Sequence, residues 1–139
     1  MFENEGTAPQ DGAMNATYSG WRGAMQAAGR HDPTLEWLHP DPSSIDLGGR
    51  MFEQIVAQRP AVDAIFFCND DLAQGALLAA VRLGIEVPRQ VAVAGFNDLT
   101  GSDQMPPPLT TVRTPRAQIG EAAARMLLSL MARRPVEAP

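Results

Sequence analysis

The sequence contains no lysine, so all 11 of its basic residues are arginine. This absence excludes enzymes that form a lysine Schiff base, phosphate loops of the Walker type and the usual phospho-receiver domains. The arginines form no basic run, and 16 acidic residues bring the net charge to −5. Because nucleic-acid-binding surfaces are typically basic, we expect no direct contact between this chain and DNA.

Cysteine is nearly absent, since Cys68 is the single one. No intrachain disulfide can form, which favours a reducing compartment. There is also no run of about 18 apolar residues that would cross a membrane. Residues 1–12 are polar and acidic, unlike a signal peptide. We therefore expect a cytoplasmic protein that makes no membrane contact.

Motifs that carry chemistry are missing too. The sequence has no Gly-x-Ser-x-Gly nucleophile elbow and no glycine-rich phosphate loop. His31 and His39 have no partner at metal-ligand spacing, so we interpret them as surface histidines. Four aspartates could hold magnesium, but acidic side chains in loops are more often simply solvated: Asp70, Asp71, Asp98 and Asp103. We expect no enzyme activity, no metal and no cofactor.

Helical spacing of apolar residues predicts four helices. The first covers about 15–28, and the second begins at Ser43, although Gly48 and Gly49 weaken that prediction. The third covers about 71–83. The last runs to about Ala132, with Thr114 as its N-cap and Pro115 at its first position.

Two continuous apolar runs, 64–68 and 91–94, read as parallel strands that are covered on both faces. The helix between them makes a strand–helix–strand crossover. Shorter strands are expected at 109–112 and 35–38. Together these elements predict an α/β fold with three layers around a parallel sheet.

Polar side chains follow both apolar runs. Asn69 and Asp70 come after the first, and Asn97 after the second. Ligands of parallel sheets bind beyond the carboxyl ends of the strands, and amide and carboxylate groups suit the hydroxyls of a polyol. Phe96 could cover the apolar face of a sugar, whereas we assign Trp21 to the core. For Asp70, a helix N-cap is an equally good interpretation.

Three ordered segments carry a family pattern: FCNDDLAQGA (67–76), VPRQVAVAGFND (87–98) and PPLTTVRTPRAQIG (107–120). They resemble the LacI/GalR family of sugar-responsive transcriptional repressors, over about residues 16–134. The sequence of residues 95–104 is most similar to that of gluconate-type regulators. The resemblance implies the type I periplasmic-binding-protein-like fold and an effector that is a sugar or a sugar acid.

The resemblance also implies site residues. The family's effector-contacting asparagine falls on Asn69, and an acidic position falls on Asn97, which is a departure. A family arginine falls on Thr17, a second departure, and a looser alignment places Ser43 at a ligand contact. Loss of the arginine and the acid together disfavours a neutral hexose and favours a sugar acid.

The family further implies that the chain is an incomplete fragment of an effector domain. Residues 1–14 would be a disordered lead-in, 15–112 the C-terminal lobe, 113–134 a helix of the otherwise missing N-terminal lobe, and 135–139 a tail. DNA would be bound only through a helix-turn-helix that lies outside this chain. A homodimer is expected, partly through the helix at 72–83. Its small residues would equally suit packing on the sheet.

Two other functions stay open. A periplasmic sugar-binding protein of a transport system has the same fold, and a doubly wound enzyme would need a catalytic group that these loops do not supply. The last helix offers a separate expectation, because Met126, Leu127 and Leu130 belong to one continuous apolar face. If its partner lobe is absent, this face should remain exposed.

Overall fold

A computed structural model describes residues 12–135, with side chains from residue 16 onward. It contains four α-helices in this range, which we number α1 to α4, and three strands, β1 to β3. The elements in chain order are α1 (Gly12–Ala27), α2 (Ile45–Gln58), β1 (Ala64–Phe66), α3 (Asp70–Leu83), β2 (Ala92–Asn97), β3 (Thr110–Arg113) and α4 (Arg116–Met131), with short 3-10 helices at Pro33–Leu35 and Ser102–Gln104.

The strands form one parallel sheet in the order β1-β2-β3. Phe66 aligns with Ala94, and Asn97 aligns with Arg113. The helix α3 makes the crossover between β1 and β2, which confirms the predicted strand–helix–strand unit. All three strands therefore end at the same edge of the sheet, which we call the carboxyl edge.

Glycines allow α2 and α3 to approach each other closely. A Cβ atom at Gly48 would lie closer than 3.0 Å to the backbone of Leu72, and one at Gly75 would lie equally close to the carbonyl of Ile45. Ile45 at the start of α2 lies beside Gly75 of α3, and Glu53 further along α2 pairs with Arg82 near the end of α3. The two helices therefore run in the same direction. The glycines that weakened the prediction of α2 are thus required by its packing.

The core lies between this helix pair and one face of the sheet. Ile65 and Val93 point into it and are buried, whereas Ala64 is exposed and Ala92 is half-buried on the opposite face. In the described residues the second face is therefore less covered than the first. Because the runs 64–68 and 91–94 are apolar at every position, the second face of the sheet also carries apolar side chains. Helix α1 covers that face only in part.

Several predicted boundaries are corrected by the structure. Residues 35–38 are not a strand in the structure, because the segment begins in a 3-10 helix and continues in an extended conformation outside the three-stranded sheet. Helix α1 already begins at Gly12, inside the predicted lead-in, while residues 1–11 and 136–139 lie outside the described part. The cap of α2 is Ser44, one residue after Ser43, and its Oγ accepts from the amide of Leu47 at 3.1 Å.

Among the described residues, the last helix packs on none of the other helices or strands through more than a few residues. Its N-cap position is Pro115 rather than Thr114, and no side chain caps it. The large apolar side chains of α4 are exposed, with 59% of Leu127 and 62% of Leu130 accessible. The expected exposure of this face is confirmed, while its assignment to a second lobe stays a prediction.

Candidate functional site

The two asparagines predicted to contact a ligand both lie at the carboxyl edge. Phe66 of β1 aligns with Ala94 of β2 in the parallel register. Asn69 lies three residues after Phe66, and Asn97 lies three residues after Ala94. Both side chains are half-buried. The structure therefore brings the ends of β1 and β2 together as the sequence predicted, and ligand contact by the two asparagines stays a prediction.

Asn69 is the N-cap of α3. Its Oδ1 accepts a hydrogen bond from the amide of Asp71 at 3.0 Å, which satisfies one of the unpaired donors at the helix start. The cap is thus Asn69 and not Asp70. Since the carbonyl oxygen is used by the helix, the NH2 group is the half of this side chain that can donate to a ligand.

The sequence suggested that Asn97 follows the second strand. In the structure, Asn97 is instead the last residue of β2. Its φ of 110° lies in the left-handed region, and that of Asp98 is 53°. The Oδ1 of Asn97 accepts from the hydroxyl of Thr114 at 2.9 Å. As at Asn69, the carbonyl oxygen is bound within the chain and the NH2 group remains as a donor.

Asp70 has a different role from the predicted ligand contact, because its side chain is fully buried. Its Oδ2 accepts from the amide of Leu99 at 2.7 Å and from the hydroxyl of Ser102 at 2.9 Å. Its Oδ1 accepts from the hydroxyl of Thr111 at 2.6 Å. A carboxylate without accessible surface holds three segments of the chain together instead of meeting an effector.

Gly95 makes room for this buried carboxylate. A Cβ atom at Gly95 would collide with Asp70 and would lie 3.1 Å from the Cβ of Ala73. Gln74 extends the network by donating to the Oγ of Ser102 at 3.1 Å and to the carbonyl of Thr100 at 3.3 Å. Sequence reasoning missed Gln74 and Ser102, because a buried polar residue in a helix or loop has no periodic signal.

The remaining predicted site residues lie on other elements. Phe96 is half-buried in β2 and aligns with Val112 of β3. Ser43 is half-buried and precedes α2, whose parallel run beside α3 places its start at the carboxyl edge. Thr17 is half-buried in α1, outside the sheet. Ligand contact by these three residues stays a prediction.

A polar cluster ties α1 to the following loop. Tyr18 donates to Glu36 Oε2 at 2.9 Å, His31 Nε2 lies 2.8 Å from Glu36 Oε1, and Arg22 lies 3.3 Å from the same oxygen. Burial alone would raise the pKa of Glu36, but the hydrogen bonds from His31 and Tyr18 and the charge of Arg22 hold that pKa below its ordinary value. His31, with 13% of its side chain accessible, is therefore not a surface histidine.

A cavity of about 910 Å³ lies beside the sheet, and residues of α1, α2, α3 and the strands line it. Trp21 of α1 lines it and is only half-buried, so the core assignment of Trp21 holds only in part. All three residues of β1 and the first three of β2 also line this cavity. None of the six predicted ligand residues lines it.

In the part of the chain that the structure describes, no group of three or more metal-ligating side chains comes together. Over the same residues, no helix combines the length and the apolar character needed to span a membrane.

Comparison with known proteins places this arrangement in a family. Residues 4–139 match the model of the periplasmic binding protein-like domain. The chain belongs to that family. It is 59% identical over 113 residues to the HTH-type transcriptional regulator GntR of Pseudomonas aeruginosa, an alignment covering 81% of this chain and 33% of the relative. The HTH-type transcriptional regulator IdnR of Escherichia coli is 45% identical over 87 residues, covering 63% of this chain and 26% of IdnR.

Solved structures show the same periplasmic-binding-protein-like fold. The transcription regulator GntR from Chromobacterium violaceum superimposes with a TM-score of 0.88 at 45% identity, over 99% of this chain and 49% of that one. A complex of the transcriptional regulator CelR with cellobiose gives a TM-score of 0.78 at 32% identity, over 92% and 38%. The resemblance to LacI/GalR regulators and the parallel α/β fold are thereby confirmed. The chain spans about a third of the length of the curated relatives it matches.

Proposed function

We propose that this chain is part of the effector-sensing domain of a transcriptional repressor of the LacI/GalR type, with no catalytic activity and a cytoplasmic location. The carboxyl edge would bind a small sugar or sugar acid. Binding would change the arrangement of the intact protein and so its affinity for DNA. The observation that carries this proposal is the pair of asparagines whose carbonyl oxygens are fixed at the ends of neighbouring strands.

The side-chain NH2 groups of Asn69 and Asn97 can both donate hydrogen bonds to one ligand at the carboxyl edge. Hydroxyl and carboxylate oxygens accept hydrogen bonds, so Asn69 and Asn97 suit an oxygen-rich ligand. Arg113, at the end of β3 with 82% of its side chain accessible, pairs through Nε with the carboxylate of Asp98, and its Nη groups can still donate to a ligand carboxylate. The complex of the relative CelR with cellobiose supports the choice of a saccharide.

DNA would be contacted by another part of the protein, because this chain carries a net charge of −5. For a homodimer, the exposed side of α3 is the surface we propose, with Leu78 and Val81 as accessible apolar residues. The small residues that the sequence offered for this contact are buried within the chain: Ala73, Gly75, Ala76, Ala79 and Ala80. Sedimentation of the intact protein as a monomer at micromolar concentration would count against the dimer.

The effector site can be tested with D-gluconate as the probe acid and D-glucose as the neutral comparison. Calorimetry on the intact protein should detect binding of gluconate and weaker or no binding of glucose. The variant Asn69→Asp keeps an oxygen that caps α3 but removes the NH2 donor. We expect it to lose about 5- to 150-fold in affinity, the equivalent of about 1–3 kcal/mol.

The control for this experiment is Gln54→Glu, the same change from amide to acid on the exposed surface of α2. It should leave the affinity unchanged. Unaltered gluconate binding by Asn69→Asp would remove Asn69 from the site. Failure of the unsubstituted protein to bind any sugar acid or sugar would contradict the proposed effector class.

A further inference from the structure

The turn at the end of β2 has an unfavourable backbone. Asn97 and Asp98 have φ values of 110° and 53°, and neither is glycine. Residues with a Cβ atom rarely adopt positive φ, and two in succession persist only where surrounding contacts hold them. The contacts of this turn therefore decide where the NH2 group of Asn97 points.

The segment between β3 and α4 supplies most of these contacts. Arg116 donates from Nη1 to the carbonyl oxygen of Asn97 and from Nη2 to that of Asp98, both at 2.9 Å. The hydroxyl of Thr114 donates to the side-chain oxygen of Asn97, and Arg113 pairs with the carboxylate of Asp98 at 2.5 Å. One planar guanidinium thus fixes both peptide carbonyls of the turn.

On its other side the turn is fixed to the body of the sheet. The amide of Asp98 donates to the Oγ1 of Thr111 at 3.3 Å, and that hydroxyl donates to the buried carboxylate of Asp70. The next amide, that of Leu99, donates directly to Asp70. The turn therefore lies between a rigid buried anchor and the first residue of α4.

The helix that carries Arg116 is not fixed in the same way. Its large apolar side chains are exposed, and within residues 12–135 it packs on no other helix or strand through more than a few residues. A change in the position of α4 would move the guanidinium relative to the two carbonyls. The anchor at Asp70 would stay in place, so the change would be absorbed in the turn.

We infer that Arg116 is a positioning residue that couples the orientation of Asn97 to the position of α4. With Arg116 in place, the turn keeps its left-handed conformation and Asn97 presents its amide at the carboxyl edge. When α4 moves away, the two carbonyls lose their donors and the turn relaxes. The inference rests on the proposed function for the part that concerns the effector. Reciprocity requires that a ligand held by Asn97 also favours this position of α4.

The first experiment measures the turn itself and needs no ligand. In the 139-residue chain, Arg116→Ala should speed hydrogen exchange at the amides of Asp98 and Leu99 by at least about fivefold. It should also shift the side-chain amide resonances of Asn97. The matched control is Arg125→Ala, which removes another exposed arginine of α4, paired with Glu121, and should change neither signal.

Arg116→Lys serves as a second variant that keeps the charge. Lysine lacks the planar fork, so we expect intermediate exchange at the same amides. Exchange in the middle of α3 should be the same in all variants, which separates a local effect from general destabilisation. Unchanged exchange and unchanged Asn97 resonances in Arg116→Ala and Arg116→Lys would overturn the positioning role.

The second experiment measures the consequence for the effector in the intact protein. With D-gluconate as probe, Arg116→Ala should weaken binding by about 5- to 20-fold, and Arg116→Lys by less. Faster exchange with unchanged gluconate affinity would overturn the coupling to Asn97. Failure of the unsubstituted protein to bind gluconate would count against the proposed effector, while the exchange result alone would still decide the positioning role.

Discussion

Gly48 of α2 lies directly against the backbone of Leu72 in α3, with no room for a side chain between them. A Cβ atom at this position would come closer than 3.0 Å to the carbonyl of Leu72. The neighbouring Gly49 is different, because its Cβ would meet the nearest atom, the carbonyl oxygen of Gly75, at 3.5 Å. This difference between adjacent glycines makes a sharp test of the helix packing.

We predict opposite effects for alanine at these two positions. Gly48→Ala should lower the free energy of unfolding by about 2 kcal/mol or more, because α2 must move away from α3. Gly49→Ala should be neutral or should stabilise by up to about 1 kcal/mol, since alanine is the better helix former. Urea denaturation followed by circular dichroism measures both. Equal effects of the two substitutions would show that the helices do not meet at Gly48.

The buried carboxylate of Asp70 provides a second prediction. Asp70→Asn replaces one acceptor oxygen by an NH2 group that faces donors, so we expect a loss of about 2–4 kcal/mol in the free energy of unfolding. The control is Asp71→Asn at the adjacent, half-buried position, which should cost less than about 1 kcal/mol. Chemical denaturation of both variants tests the difference. A mild effect of Asp70→Asn would contradict the described network.

Acid should weaken the attachment of α1. The pKa of Glu36 is lowered in the folded chain, so its contribution to stability is complete above the ordinary value of 4.5. That contribution is lost as the pH falls through the lower folded-state pKa. Tryptophan fluorescence during urea denaturation at a series of pH values on both sides of 4.5 should show stability falling towards acid.

The matched comparison for this pH effect is Glu36→Gln. A glutamine side chain at this position cannot titrate, so the decrease in stability towards acid should be smaller in this variant than in the unsubstituted chain. Glu121→Gln, on the exposed surface of α4, should leave the decrease as it was. If Glu36→Gln and the unsubstituted chain respond identically to pH, the cluster does not contribute through its charge.

The exposed face of α4 leads to a fourth prediction. Leu127→Ala should change the free energy of unfolding by less than about 0.5 kcal/mol, because 59% of this side chain is already accessible. Leu77→Ala, at a position that is 1% accessible in the core, should cost about 2–5 kcal/mol. Binding of a hydrophobic dye should fall in the Leu127 variant. A large loss of stability there would mean that α4 packs on the rest of the chain.

Much of the fold was readable from local patterns. Helical periodicity identified α3, closed by Gly84 in the left-handed conformation, and continuous apolar runs identified β1 and β2. The same runs indicated a layered α/β arrangement, but apolar side chains on both faces of a strand do not reveal how fully each face is covered. At residues 35–38 the structure has the end of a 3-10 helix followed by extended chain, which the apolar residues there did not indicate.

For the candidate site too, some features could be predicted from the sequence and others depended on the tertiary structure. The sequence by itself placed Asn69 and Asn97 at the carboxyl edge, because position along a strand determines which edge a residue reaches. The cap that Asn69 forms with the amide of Asp71 is a local contact, whereas only the tertiary structure decided that Asp70 is buried and that Arg116 holds the turn at Asn97. These roles depend on contacts between residues up to 41 positions apart in the chain. Local periodicity carries no information about such contacts, which exist only once the sheet and its helices have assembled.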